Sequence, residues 1–333
     1  MKDWKVDVPV LLIFFVRDEV LKKTFEAIRE ARPSTLLLWQ DGPREGREGD
    51  INGIEKCRKI VENIDWDCKV YKNYHTENMG CDPSTFLAQK WAFSVVEKCI
   101  ILEDDMVADV SFFSFCRELL DKYEFDERIN HICGVNFLSG ELECPNDYLF
   151  AYSGTGAWAS WRRVAKGWDE DYSFLDKKYY IQQLKAKKDK AFDVSYEVAK
   201  HRKMTGKAYW ESILGFDCML NNRLVIISSK NLVSNIGMTE DSTHGTSNMK
   251  ILPKSTRRLF FMKAEEMVFP IKHPEYIVPD INYINKMRIL SGVGHPFRRF
   301  YRKFDYVFKC TIYGQFFRRL KAKLSRKRAG NGK

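Results

Sequence analysis

Four strand-type runs, mostly apolar except the third, punctuate the first 105 residues, and a segment of helical period separates each from the next. The runs are residues 8–16, 34–39, 68–74 and 99–102. Between them, residues 18–30 carry Val20, Leu21, Phe25 and Ile28 near helical spacing. Residues 54–64 read as a second helix, and 85–98 as a third with Ser84 as its N-cap. Arg32-Pro33 and Gln40-Asp41-Gly42-Pro43 supply the breaks, and Asn78 to Pro83 forms a further loop. A strand buried on both faces of a parallel sheet reads as a continuous apolar run. This alternation therefore predicts an α/β chain with a doubly wound, mostly parallel central sheet flanked by helices. Beyond residue 110 a helix at 111–123 and a strand at 129–135 are legible, followed by an aromatic-rich stretch whose element order the pattern does not fix. The sequence has no GxGxxG and no P-loop, which excludes the usual dinucleotide and Walker-type phosphate sites.

The fourth run ends abruptly in three consecutive acids, Glu103, Asp104 and Asp105. Ligand sites in open α/β sheets lie just beyond the carboxyl ends of the strands. Adjacent carboxylates repel one another, and a hard divalent cation that also takes phosphate oxygens relieves that repulsion. The triplet is read as a Mg²⁺ or Mn²⁺ site that holds a diphosphate, against the alternative of a solvated acidic turn.

Charge is divided unevenly. The chain of 333 residues has a formal net charge of +10. Residues 298–333 contain thirteen Lys/Arg and one acid, Asp305, so the preceding residues are close to neutral. Aromatics interleave with these cations, and Phe297, Phe300, Tyr301 and Phe304 have i, i+3, i+4, i+7 spacing. Such a segment suits an amphipathic helix on an anionic membrane surface. The alternatives are a helix packed on the body and a nucleic-acid contact; no recognised nucleic-acid motif accompanies it, and none is expected to bind. The apolar run at 8–16 is too short to span a bilayer, and no signal peptide is visible. The nine cysteines form no CxxC pair and no zinc-type spacing, which fits free thiols in a reducing cytoplasm.

Residues 10–16 with Arg17, Gln40-Asp41, Trp91-Ala92-Phe93, Glu103-Asp104-Asp105 and Phe112-Phe113 are arranged as in GT-A glycosyltransferases related to N-acetylglucosaminyltransferase I. The chain further resembles bacterial family-2-like sugar transferases from surface-polysaccharide gene clusters. That likeness lies in residues 41–44, 78–81, 101–105, 157–163 and 231–237, with Thr243-His244 after them. It covers residues 8–280 in ordered fragments and leaves the last fifty outside. It implies a GT-A nucleotide-diphospho-sugar fold with a basic helical C-terminal extension. The implied division is a catalytic domain at 1–250, with a nucleotide half at 1–110 and an acceptor and sugar half at 111–250. A linker and packing segment at 251–297 and the basic aromatic tail at 298–333 follow.

The resemblance also implies roles. Arg17 and Asp41 would contact the nucleotide, Asp41 reading a base edge, though an acid in Asp-Gly-Pro also readily bonds its own backbone. Asn78 and Gly80 would line the nucleotide loop. Asp105 would bind Mn²⁺ or Mg²⁺, with Glu103 and Asp104 on the ribose or a metal-bound water. Gly156, Trp158 and Trp161 would line the sugar and acceptor site, one tryptophan being core, and Trp210 would join them. Inverting transfer needs a base for the acceptor hydroxyl; Glu211 stands at the family's position, where the bacterial set more often has Asp, and Asp217 is the second candidate. His244 would be a further metal or diphosphate ligand. The implied partners are a nucleoside diphosphate sugar, UDP-sugar favoured, and a glycan or lipid-linked glycan acceptor, at the cytoplasmic face of the membrane. The two other readings are a sugar nucleotidyltransferase, which the absence of a Gly-rich basic loop after the first run disfavours, and a non-enzymatic basic membrane or nucleic-acid binder.

Overall fold

The computed structural model describes residues 5–187, 190–206, 208–238 and 260–291. Its first half follows the expected alternation: β1 (Val10–Phe14), α1 (Asp18–Ala31), β2 (Thr35–Gln40), α2 (Glu48–Val61), β3 (Lys69–Tyr74), α3 (Cys81–Val95) and β4 (Lys98–Glu103). Then come β5 (Met106–Ala108), α4 (Val110–Lys122), β6 (Ile129–Cys133), β7 (Tyr148–Ala151), β8 (Trp158–Trp161) and the short α5 (Arg162–Ala165). A 3-10 turn at Ser173–Asp176 leads into α6 (Lys178–Ala186), α7 (Lys190–Thr205), α8 (Trp210–Asn221), β9 (Leu224–Ser228), β10 (Val233–Asn235) and α9 (Ile281–Ser291).

Eight strands form one sheet in the order β3-β2-β1-β4-β8-β6-β9-β7. The β3-β2-β1-β4 half is wholly parallel, with Phe14 opposite Gln40 and Ile13 opposite Glu103. Strand β8 runs antiparallel to both β4 and β6, β6 and β9 are parallel, and β7 closes the far edge antiparallel to β9. The fold is thus α/β, with a mixed, mostly parallel central sheet flanked by helices. A separate ribbon pairs β5 with β10, Met106 opposite Asn235.

Side chains alternate across a strand, and both faces are apolar here. Val10, Leu12 and Phe14 point into a core with Phe25 of α1, Cys57 of α2 and Phe112 to Leu120 of α4. Leu11 and Ile13 point the other way, to Phe86 and Phe93 of α3, Leu184 of α6, Phe192 of α7 and Trp210 to Phe216 of α8. The exposed edge at β3 carries Lys69 and Lys72, charges that discourage pairing with another chain. At the opposite edge, residues 260–280 cross β7, where Asp280 N donates to Phe150 O at 2.8 Å and Met267 is buried.

Two helix starts differ from expectation. Helix α3 begins at Cys81, so Ser84 lies within it rather than capping it. The Ser84 hydroxyl is buried and accepts from Trp39 Nε1 at 2.9 Å, tying α3 to β2. Helix α2 begins at Glu48, ahead of the expected residue 54. Its position is held by buried Gln40, which donates to Phe15 O at 2.8 Å and accepts from Arg58 Nε at 2.7 Å. Among the described residues no helix is long and apolar enough to cross a membrane. The basic tail at 298–333 and its expected helix lie outside the described residues.

Candidate functional site

The parallel order β2-β1-β4 sets the carboxyl ends of three strands side by side, about 4.8 Å from one neighbour to the next. Asp41 follows the first, Arg17 the second, and Glu103, Asp104 and Asp105 the third. The strand period then separates the acids. Glu103 shares the face of Cys99 and Ile101, which α3 and α8 cover, and Asp104 turns to the other, toward α1.

Arg17 is the one cation that the described contacts place among these acids. Its guanidinium donates to Asp104, to Asp105 Oδ2 at 2.9 Å and to Gly237 O at 3.3 Å. On the α1 side, the buried Thr24 hydroxyl donates to Asp104 O at 2.8 Å. The arrangement remains short of positive charge. Burial, reinforced by Asp105, Asp104 and Glu211, pushes the Glu103 carboxyl up to about 8. Burial also raises Asp104 to about 6 against the pull of Arg17. Asp105 Oδ1 is buried and has no hydrogen-bond partner among the described residues. The β5–β10 ribbon brings residues 235–237 over Asp105, where Ile236 N donates to Asp105 O at 2.9 Å.

This donor set fits a divalent cation in one way only. Among the described residues no three His, Cys, Asp or Glu side chains form a closed metal cage. An orphaned carboxylate oxygen beside a second, proton-hungry carboxylate suits an ion that takes one or two protein ligands and completes its shell with phosphate and water, as Mg²⁺ does. His244 lies outside the described residues.

Asp41 is 6% exposed and its oxygens serve the backbone. They accept from Gly42 N at 2.9 Å, Met79 N at 2.9 Å, Gly80 N at 3.1 Å and Asn78 Nδ2 at 3.1 Å. Burial raises this carboxyl while those N–H groups hold it down. Of the two readings of Asp41, the geometry shows the turn acid: it clamps the 78–80 loop to the end of β2. Asn78 closes the same turn by donating to Gly42 O at 2.8 Å. Gly80 has φ 86° and ψ 157°, a conformation open only to glycine. Nearby Arg44 is spent on Asp50, with a two-pronged contact at 2.8 and 2.7 Å.

Trp158 and Trp210 stack on each other, ring centroids 5.7 Å apart and planes within 9°. Both are buried. Their pairing fixes the first turn of α8 against β8, and the next residue is Glu211. Glu211 accepts from the Tyr209 hydroxyl, and Arg202 covers the Tyr209 ring at 4.5 Å while donating to Asp82 at 2.9 Å. The structure thereby brings Glu211 close enough to Glu103 to oppose its ionisation. Gly156 lies in the loop before β8, against Val135.

Two further candidates are buried in structural contacts. Trp161 is on the opposite face of the sheet from Trp158, buried in the α4 side of the core with its Nε1 donating to Leu120 O at 3.0 Å. A spacing of three residues on a strand reverses the face, so Trp161 is the one of the pair that belongs to the α4 side. Asp217 is a structural acid: its carboxylate takes Arg223 at 2.9 Å, Asn221 at 2.8 Å and Asn130, with the side chain 1% exposed. Three donors and near-complete burial commit it to the network with Asn130, Asn221 and Arg223.

Sequence reasoning missed Thr24, Tyr209 and Arg202. Thr24 carried a signal, a hydroxyl inside the apolar stripe of α1. Tyr209 and Arg202 carried none, since their partners come from elsewhere in the chain.

No family model and no curated protein matches the chain. Among solved structures it is similar to 4-diphosphocytidyl-2C-methyl-D-erythritol synthase from Anaerococcus prevotii DSM 20548. The identity is 15% over 52% of this chain and 76% of that one, with a TM-score of 0.30. A likeness of that degree decides nothing about function.

Proposed function

We propose that this chain is a GT-A glycosyltransferase that moves a hexose or N-acetylhexosamine from a nucleoside diphosphate sugar to a glycan hydroxyl, with inversion, in surface-polysaccharide synthesis. The observation that carries the reading is the carboxylate trio at the end of β4, which among the described residues is balanced by Arg17 alone and leaves Asp105 Oδ1 buried without a partner. Asp105 would hold Mn²⁺ or Mg²⁺. When bound, the ion offsets charge on the departing nucleoside diphosphate. Arg17 keeps Asp104 and Asp105 in place on the β1 side. Glu103 faces α8, where it would meet the ribose or a coordinated water.

Glu211 takes the proton of the attacking acceptor hydroxyl in this scheme. One of its oxygens is held by Tyr209, which leaves the other for the acceptor. The Trp158–Trp210 stack orients α8, so the aromatic pair acts on the chemistry through Glu211. The basic aromatic tail would hold the enzyme at an anionic, cytoplasmic membrane face where a lipid-linked glycan is within reach.

The test is a screen of UDP-, GDP- and dTDP-sugars with Mn²⁺, on the native chain and on Asp105→Ala. Slow, metal-dependent hydrolysis of one donor that disappears in Asp105→Ala supports the proposal. Absence of turnover with every donor, with and without metal, overturns it.

A further inference from the structure

Between α5 and α8 the chain inserts α6 and α7, and the end of α7 reaches the candidate site. Arg202 donates to Asp82, in the first turn of α3, at 2.9 Å. It also covers the ring of Tyr209, whose hydroxyl donates to Glu211. The next residue, Lys203, donates to Asp176 Oδ2 at 2.6 Å. Asp176 directly precedes Lys177 and the first turn of α6. The start of α6 is thereby tied, through Lys203 and Arg202, to the surroundings of Glu211.

Residues 177–187 contain four lysines and no acid. Ile181 and Leu184 are buried and seat α6 on the body, and at 100° per residue Tyr179 lies opposite them. Tyr179 and Tyr180 are 65% and 58% exposed, their rings edge to face at 5.5 Å. Gln182 and Gln183 are exposed beside them. Among the described residues no carboxylate pairs with Lys177 or Lys178, since Asp176 is taken by Lys203. Lys185 of α6 and Lys200 of α7 both cover the Tyr196 ring, at 4.3 and 5.4 Å. Lys178, two turns before Lys185, shares its side of the helix, so cations line the seam between α6 and α7.

Folding alone gives no reason to hold two tyrosine rings in water beside unpaired ammonium groups. Tyrosine offers a large, rigid, amphipathic face at low entropic cost, and the apolar C–H faces of sugars pack on such rings. Glutamine amides serve hydroxyl groups, and lysines serve carboxylates through charge-assisted hydrogen bonds. A bilayer is served less well. An interfacial helix buries an apolar face in the lipid, whereas Ile181 and Leu184 are spent on the body and the outward side of α6 carries Tyr, Gln, Lys and Ala.

We infer that the outward face of α6 binds an acidic glycan, with sugar rings on Tyr179 and Tyr180 and carboxylates at Lys177 and Lys178, as the acceptor strand leading to Glu211. The acceptor role rests on the sugar-transfer reading; the binding does not. The test is calorimetric titration of the full-length chain with hexagalacturonate. Maltohexaose is the neutral glycan control. Hexaglutamate, a polyanion without sugar rings, measures what the basic tail attracts by charge alone. Two exposed double variants accompany them, Tyr179→Ala with Tyr180→Ala and Lys177→Glu with Lys178→Glu, each checked for folding by circular dichroism. Hexagalacturonate is expected to bind about tenfold or more tighter than either control and to lose about tenfold in each variant, while the tyrosine pair leaves hexaglutamate binding unchanged. Hexagalacturonate binding no tighter than hexaglutamate, or equal in the native chain and both variants, overturns the inference. So does pelleting with phosphatidylglycerol vesicles that the tyrosine pair abolishes while hexagalacturonate binding persists, which assigns the face to a membrane. The two readings fail separately. Donor turnover without hexagalacturonate selectivity overturns the acidic acceptor alone. Selective binding at the tyrosines without donor turnover overturns sugar transfer and leaves a glycan-binding face.

Discussion

Asp105 and Gly237 meet in a contact that admits no side chain. A β-carbon on Gly237 would fall 1.9 Å from Asp105 Oδ2. The same oxygen is held by Arg17, and Gly237 O accepts from Arg17, so one guanidinium fastens the β4 end to the segment after β10. Gly237→Ala should displace the Asp105 carboxylate, since overpacking a filled site costs about 1–3 kcal/mol. The expected result is a modest fall in melting temperature with a disproportionate, tenfold or greater loss of metal-dependent nucleotide affinity, about 1.4 kcal/mol. Unchanged affinity would remove Asp105 from the proposed ion site.

The two acids on α8 separate cleanly. Glu211→Gln should leave folding intact and lower transfer by about 100-fold or more, the usual contribution of a general base. Asp217→Asn should do the reverse, because it leaves Arg223 facing a neutral amide in a buried network, at about 3 kcal/mol. Urea denaturation and a transfer assay on both variants check this; a stable, inactive Asp217→Asn would contradict it.

Asp41 should prove a scaffold residue. Asp41→Ala strips acceptors from the N–H groups of Gly42, Met79 and Gly80. Each buried donor left unpaired costs about 1–3 kcal/mol, so a loss of about 3 kcal/mol by urea unfolding is expected. Unaltered stability with lost nucleotide binding would return Asp41 to the base-reading role.

Asp50 gives a pH signature. Its side-chain hydrogen bonds from Arg44 hold it below the usual carboxylate range in the folded protein. A depressed folded-state value means that the unfolded chain binds protons first as pH falls, so the stabilisation is present above about pH 4 and is lost below it. Asp50→Asn should therefore be less stable than the native protein at pH 7, by about 1 kcal/mol for a pair with one exposed partner. The difference should close toward pH 2. Denaturation midpoints for both proteins across that range test it, and a constant gap would be contrary to the assignment.

Much of this was legible in the chain. The runs at 8–16, 34–39, 68–74 and 99–102 each contain or overlap an observed strand; in β1, β2 and β4 burial on both faces leaves apolar continuity as the signal, while the edge strand β3 was legible only from its interleaved aromatic and β-branched residues. The acids after the fourth run fell at a strand end because β4 is one of the three continuous runs. The insertion of β8 between β4 and β6 was not legible, since a four-residue antiparallel strand has too short a pattern to state its neighbours. Which of the two tryptophans is core was not legible, because residues 154–161 gave glycines and tryptophans without a strand register. Asp217 looked like a candidate base because nothing local shows that Asn130 and Arg223 converge on it.

The central claim is that the acids ending β4 hold a metal-bound nucleoside diphosphate. Calorimetric titration with UDP, GDP and dTDP, with and without Mn²⁺, tests it most directly on the native protein and on Asp105→Asn. The account predicts that one nucleotide, UDP first, binds with Mn²⁺, binds at least tenfold more weakly without it, about 1.4 kcal/mol, and is lost in Asp105→Asn. Binding that ignores both the metal and the Asp105 substitution, or no binding of any of the three, would contradict it.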